Sequence, residues 1–248
     1  MRVYAIGDIH GHADLLRAAH ARIAADRAQV GDRDAPVVHI GDLCDRGPDT
    51  RGVIELLMAG QAAGAPWVVL KGNHDRMCLG YLADPHYTDP GLSVPKSWLH
   101  PALGGAATLQ SYGVREPANR PVAPVHAEAL AAVPPAHREW LAGLPLMFLH
   151  PLAIFVHAGI RPGVALTDQV EDDLVWMREP FLSDPRDHGR LVVHGHTAID
   201  RATHYGNRLN IDSRAAFGGP LSAVVIEPDG VFLLTDAGRV ALRPGPRG

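Results

Sequence analysis

The chain has 248 residues, of which 46% are hydrophobic, 20% charged and 6% aromatic, with a formal net charge of -4. That composition belongs to ordinary globular proteins and excludes disordered and collagen-like chains. The mild acidity argues against holding nucleic acid by bulk charge, which needs a basic face that neutralises many phosphates. Only Cys44 and Cys78 are present, too few for a disulfide framework and consistent with a reducing compartment, so the cytoplasm is expected. The run Val3 to Ile6 is too short for a secretory h-region. The apolar stretch from Leu144 to Val156 is broken by Pro145, His150 and Pro151, so no membrane anchor is expected.

Short apolar runs recur along the chain, each ending abruptly at glycine or a polar residue. Val3–Ile6 meets Gly7-Asp8-Ile9-His10-Gly11, Val37–Ile40 meets Gly41-Asp42, and Trp67–Leu70 meets Lys71-Gly72-Asn73-His74-Asp75. Further on, Ala153–Val156 meets His157-Ala158-Gly159, and Leu191–Val193 meets His194-Gly195-His196. These runs predict buried strands. Between them, Leu15, Leu16, Ala19 and Ile23 share a helical face after Asp14, as do Val53, Ile54, Leu57 and Met58 before Gly64. Strand and helix in alternation predict an α/β fold, whose ligand site lies outside the carboxyl ends of its strands.

From 84 to 125 the pattern fails. That Pro- and Gly-rich stretch predicts an insertion over the site, anchored by Trp98 and Tyr112, with a helix near Ala102–Ser111. A helix is expected over Ala127–Leu141. An antiparallel sheet follows from Thr203–Tyr205, Arg208–Ile211, Leu221–Ile226 and Val231–Thr235. Residues 1–242 are expected to form one catalytic domain, and 243–248 a loose tail.

The side chains at the strand ends carry the chemistry. Asp8, His10, Asp42, Asn73, His157 and His196 make an oxygen and nitrogen donor set without thiolate. It suits manganese, iron or zinc in a reactive site better than a structural zinc. Six donors are too many for one ion. Asp8 and His10 can reach one cation, Asn73, His157 and His196 a second, and Asp42 can lie between. Two cations roughly 3.5–4 Å apart acidify a shared water and clamp a phosphoryl group, which is machinery for phosphoester hydrolysis.

The blocks Gly7-Asp8-Ile9-His10-Gly11, Gly41-Asp42-Leu43-Cys44-Asp45-Arg46-Gly47, Gly72-Asn73-His74-Asp75, His157-Ala158-Gly159 and Gly195-His196-Thr197 carry a resemblance in order and spacing. They resemble the signature of the calcineurin-like metallophosphoesterases, and within that superfamily the short bacterial serine/threonine phosphatases of the phosphoprotein phosphatase branch. The resemblance runs from residue 3 to about 235 and weakens over 84–145. It implies two packed mixed β-sheets flanked by helices, a four-layer αββα sandwich. It also implies that Asp8, His10 and Asp42 bind one divalent cation and that Asp42, Asn73, His157 and His196 bind the other, with manganese first and iron or zinc as alternatives. Arg46 and Arg178 match positions that grip substrate phosphate, as suits a guanidinium fork. His74 matches the general acid and Asp45 its orienting carboxylate, expected to raise the histidine's pKa. The implied reaction is direct attack on phosphorus by hydroxide bound to the two metals, with no phosphoenzyme.

The expected substrate is a phosphorylated protein or peptide, with a small phosphoester as the wider class and no membrane or nucleic-acid partner. Ala198, where nucleases and phosphodiesterases of the superfamily often carry a histidine, favours the phosphatase branch. The leading alternative is a symmetrical dinucleoside tetraphosphatase, a sister branch that commonly has alanine where this chain has Asp45. A non-catalytic phosphate sensor is a third reading. Asp75 stands where eukaryotic phosphatases have glutamate, and their C-terminal tyrosine-containing loop is not recognisable, which leaves phosphotyrosine, phosphohistidine and small phosphorylated metabolites open. Arg214 replaces a usual glycine, so either the turn differs there or a positive group is added to the rim. His194 is read as a buried hydrogen-bonded histidine and Cys44 as a small buried hydrophobe.

Overall fold

The computed structural model describes residues 1–245; the last three residues of the expected tail lie outside them. Within the described residues, β1 (Val3–Ile6) lies between β2 (Val37–His39), to which it runs parallel, and β9 (Ala223–Glu227), to which it runs antiparallel. β3 (Trp67–Val69) extends this sheet on one side. β10 (Gly230–Thr235) and β11 (Gly238–Ala241) extend it on the other, giving the order β11-β10-β9-β1-β2-β3. A second sheet has the order β4-β5-β6-β8-β7, from β4 (Met147–Leu149), β5 (Ala153–Val156), β6 (Leu191–His194), β7 (Thr203–His204) and β8 (Arg208–Asn210). β5, β6 and β8 run parallel.

The period-two alternation of β1 explains the layering. Tyr4 and Ile6 face a core shared with α1 (Ala13–Val30) and α2 (Thr50–Ala62), where Leu16, Ile23, Val53 and Leu57 are buried. Val3 and Ala5 face the other way, onto Ala153, Phe155, Val193 and Leu209 of the second sheet. The outer face of that sheet, Ile154, Val156 and Val192, packs on Leu174 of α7 (Glu171–Trp176) and on Phe181. Helix, sheet, sheet, helix is the expected four-layer order, and a strand buried on both faces reads as an unbroken apolar run.

Local chemistry sets the helix ends. Gly31, at φ 70°, closes α1 with its N–H on Arg27 O. The Asp49 carboxylate caps α2 by accepting from Gly52 N at 2.9 Å. The single helix expected over 127–141 is instead two, α5 (Val122–Ala132) and α6 (Pro135–Ala142), because Pro134 and Pro135 cannot continue the first helix but can start the second. The insertion carries α4 (Gly105–Ser111), and Arg76 of α3 (Asn73–Ala83) ties it down through a bidentate pair with Asp89 at 2.8 and 2.7 Å. The expected C-terminal antiparallel sheet is divided: β7 and β8 join the second sheet and β9 to β11 the first. In the start of the expected tail, Gly245 N donates to His204 O at 2.9 Å, so residue 245 is held against β7. No helix among the described residues is long and apolar enough to cross a membrane.

A polar cluster ties the first sheet to α1. Arg239 donates to both Asp26 oxygens at 2.5 and 2.9 Å and to Glu227 at 2.8 Å, and Tyr4 OH donates to Asp26 at 2.8 Å. Burial pushes the Asp26 and Glu227 carboxyls up, but the hydrogen bonds from Arg239, joined by Tyr4 and Arg2, outweigh it and hold both below their ordinary 3.8 and 4.5. A carboxyl lowered by folding stabilises the protein above its unfolded pKa and loses that contribution as pH falls through the folded value. The melting temperature should therefore fall between about pH 5 and about pH 3, and less steeply in Arg239→Met. Thermal melts across that range check this; an identical slope in the variant would remove the cluster from the acid response.

Candidate metal centre

Each predicted donor follows the carboxyl end of a strand or begins a helix there. Asp8 and His10 follow β1, Asp42 follows β2, and Asn73 and His74 open α3 after β3. His157 follows β5, His196 follows β6 and Asp212 follows β8. The parallel strands of both sheets thus deliver their ends to one seam. The first two blocks are laced together by backbone bonds: His10 N to Asp42 O at 2.7 Å, Ile9 N to the same oxygen at 3.1 Å, and Gly11 N to Leu43 O at 2.8 Å. Across the seam His196 N donates to Asp8 Oδ2 at 2.9 Å, and within the first sheet's end His74 N donates to Asp42 Oδ1 at 3.0 Å.

Seven non-glycine residues have left-handed backbone among the described residues, and of these only Glu116 lies away from the site; the others are His10, Asp42, Asp45, Arg46, His196 and Arg214. Each such conformation costs about 1–3 kcal/mol and persists only where the surroundings over-determine it. Here the lacing supplies that constraint. Asp75 contributes to it, accepting from Leu43 N at 2.9 Å, Cys44 N at 3.1 Å and Gly72 N at 2.8 Å. This structural role of Asp75 was not legible in the sequence.

The structure brings Asp42 into two close groups, one with His10 and His74 and one with His157 and His196. Its Oδ2 lies 3.4 Å from His10 Nε2 and its Oδ1 3.3 Å from His157 Nε2. The protons on those rings are placed by their far sides. His10 Nδ1 donates to Cys44 O and His157 Nδ1 to Ile40 O, each at 2.9 Å, and a carbonyl can only accept. Burial pushes both imidazoles down, His157 to about 4, so each is neutral and turns an Nε2 lone pair toward the carboxylate. Asn73 Oδ1 sits 2.9 Å from both His157 Nε2 and His196 Nδ1. Asp8 Oδ1 and His196 Nε2 are buried without a hydrogen-bond partner. Burial, then the charges of Asp212 and Asp42, push the Asp8 carboxyl well up; burial raises Asp42 too. The Nε2 lone pairs of His10 and His157 face the Asp42 carboxylate, and Asp8 Oδ1 and His196 Nε2 have no donor at all; divalent cations would satisfy these groups. The residues present fit the two-cation set read from the sequence, although Asp8 reaches the groups through His196 rather than as a member of either.

Asp45, fully buried, accepts from His74 Nδ1 at 2.7 Å. The expected rise in the His74 pKa is reversed: burial pushes the imidazole down to about 3 and the Asp45 carboxyl up to about 7. Desolvation disfavours both charged forms, outweighing the Asp42 charge at His74 and the Thr108 and Trp98 hydrogen bonds at Asp45. Arg46 and Arg178 line a cavity of about 330 Å³ with His10, Asp42, His74 and His196. Arg46 Nη1 stands 2.8 Å from His10 Nε2, and Arg178 is exposed at the rim. His194 is fully buried, 3.2 Å from Gly195 O and 3.3 Å from Arg208 Nη1, outside both close groups. Sequence reasoning gave no role to Trp176, whose ring meets His196 edge-on at 5.5 Å, or to Phe217, exposed at the cavity's mouth. Aromatic residues in loops carry no periodic signal.

The model of the calcineurin-like phosphoesterase family matches residues 1–225. Serine/threonine-protein phosphatase 1 of Salmonella typhimurium is 27% identical over 234 residues, covering 91% of this chain and 92% of that protein. Among solved structures, a candidate diadenosine tetraphosphatase superposes with a TM-score of 0.61 at 22% identity, over 98% of this chain and 95% of that one. A cold-active protein-tyrosine phosphatase of the psychrophile Shewanella sp. gives 0.61 at 17% identity, over 98% and 80%. At such identities the structures share the fold.

Gly195 backs onto Asp8: a Cβ there would lie 1.9 Å from Asp8 Oδ1. Gly195→Ala should displace that carboxylate and weaken manganese binding by about 10–100-fold, the usual cost of disturbing a ligand's support. Titration calorimetry on the metal-free protein measures it; undiminished affinity would remove Asp8 from the cation set.

Proposed function

Because the chain belongs to the calcineurin-like phosphoesterases, and so is a metal-dependent phosphoester hydrolase, we propose that it removes phosphate from phosphoserine and phosphothreonine in proteins. One observation carries the hydrolytic centre: Asp42 presents one oxygen to each of two neutral imidazoles, His10 and His157. Asp8, His10 and Asp42 would hold one divalent cation, and Asp42, Asn73, His157 and His196 the other, with manganese as the proposed ion. Bound there, the cations supply Lewis acidity, acidifying a water and neutralising phosphoryl oxygens.

The chain's own groups do the rest. Arg46 leaves His10 Nε2 once that nitrogen is taken, and with Arg178 pairs the phosphoryl oxygens. In the substrate complex the phosphoryl charge favours imidazolium, so that His74 carries a proton on Nε2 as well as on Nδ1. A water oxygen bonds to phosphorus as the ester P–O bond breaks, Nε2 gives its proton to the leaving oxygen, and the proton shed by the water restores Nε2, so the products are the free hydroxyl and inorganic phosphate. Asp45 holds the opposite ring nitrogen at 2.7 Å, which turns Nε2 to the substrate. That pair supports serine and threonine esters: an alkoxide is a poor leaving group and gains most from a proton, whereas a nucleotide polyphosphate leaves readily without one. Similarity to the Salmonella phosphatase over nine-tenths of the chain supports the same reading. Residues 1–242 would act as one catalytic unit. The two unpaired, buried cysteines support a reducing compartment, for which we propose the cytoplasm.

Phe217 favours a second reading, a symmetrical dinucleoside tetraphosphatase. Its ring is 59% exposed at the cavity's mouth, with the Arg46 and Arg214 guanidinium carbons 5.2 and 5.5 Å from its centroid, a surface on which a base could stack.

Manganese-loaded protein should hydrolyse p-nitrophenyl phosphate, lose that activity to chelator and regain it with manganese. His74→Asn should slow turnover about 10²–10⁴-fold with metal content intact, whereas Asp42→Asn should also lose metal by elemental analysis. Silence after full reconstitution would favour the phosphate sensor. Steady-state comparison of a phosphoserine peptide with diadenosine tetraphosphate ranks the substrates: the peptide should have the higher kcat/KM, and a dinucleotide faster by orders of magnitude would reverse the assignment.

A further inference from the structure

We propose that the insertion is a brace for the acid pair, with Trp98 and Thr108 as positioning residues that hold Asp45 and, through it, His74. The proposal rests on His74 delivering the proton. The Asp45 carboxylate sits at the end of a left-handed turn, at φ 75°, with no exposed surface. Its Oδ2 accepts from His74 Nδ1 and also, at 2.8 Å, from the Trp98 indole N–H. Its Oδ1 accepts from Thr108 Oγ1 at 2.8 Å, and the same hydroxyl oxygen accepts from Asp45 N at 2.8 Å. Thr108 thus grips Asp45 by both side chain and backbone. One hydroxyl proton suffices, because the Thr50 hydroxyl 3.2 Å away has a proton of its own to donate.

The brace is itself rigidly seated. Trp98 is 1% exposed, its ring 4.9 Å from that of Tyr81 on α3, the helix that carries His74. On its other side lies Gly105, where a Cβ would enter the indole at 2.3 Å. Gly104 O accepts from Arg46 N at 3.2 Å, so the same stretch holds the next residue. A carboxylate bonded only to His74 could turn about its own axis; three donors on two oxygens fix its plane and hence the tilt and tautomer of the imidazole. Neither residue reaches the cavity, so neither is catalytic.

Thr108→Val removes one donor at nearly constant shape, Trp98→Phe removes one donor together with part of the indole volume, and Thr108→Ser keeps the hydroxyl. Two aryl esters separate positioning from general damage and do not depend on which phosphoprotein is the substrate. Nitrophenolate leaves without help, whereas phenolate needs the proton. Thr108→Val and Trp98→Phe should lose about tenfold more kcat on phenyl phosphate than on p-nitrophenyl phosphate, and Thr108→Ser should restore the ratio. His74→Asn should show the same split at larger amplitude; if it shows none, the general-acid reading fails. If His74→Asn splits the substrates while Thr108→Val and Trp98→Phe lower both equally or neither, the brace is wrong and the acid stands. Should a variant fail to fold, proton NMR of the metal-free protein decides. The Trp98 indole proton should resonate far downfield and move upfield in Asp45→Asn, and one that ignores that substitution overturns the proposal.

Discussion

Two carboxylates and three neutral imidazoles share a buried seam, and too few protons lie between them to satisfy their lone pairs. Asp8 and Asp42 are each 2% exposed, and His10 and His157 have given their N–H groups to carbonyls behind them. Left alone such a set is repulsive, and desolvation magnifies the repulsion. Everything around it serves to keep the groups from moving apart: the backbone bonds to Asp42 O, the three amides on Asp75, and glycines set where a methyl group would strike a carboxylate. The apolar core between the sheets provides the stability that such a concentration of acceptors removes.

The division of labour between sheets follows from that constraint. Strands β1 and β2 bring the acids, while β5 and β6 bring two of the histidines, so the centre exists only where the sheets face one another. Alternation along β1, with Tyr4 and Ile6 toward the helices and Val3 and Ala5 toward the other sheet, aligns the two sets of strand ends. A change in register by one residue would exchange those faces and carry Asp8 away from His196.

Much of this was legible in the sequence. Apolar runs stopping at glycine locate β1, β2, β3, β5 and β6 within a residue or so, because strands buried on both faces leave an unmistakable local signal. The donors stand at those stops, so their convergence followed from the α/β rule. Other features depend on information that no local window holds. The six residues of α7 are too few for helical periodicity, and α3 was hidden by a motif that reads as chemistry. Whether β8 pairs with β6 or β9 is decided by the path of residues 211–222, not by alternation. The break at Pro134-Pro135 is readable in the sequence, whereas the bonds from Trp98 and Thr108 to Asp45 span 53 and 63 positions and leave no trace in composition.

The place of β1 beside β9 bears on biosynthesis. Val3 is paired with Ile226, so β1 waits for a strand synthesised much later in the chain before its sheet is complete. Asp8, His10, Asp42 and Asn73 are likewise synthesised before His157 and His196. An ion captured early would meet a half-built, oxygen-rich basin selective for little. The full set of candidate donors therefore comes together only once both sheets have closed.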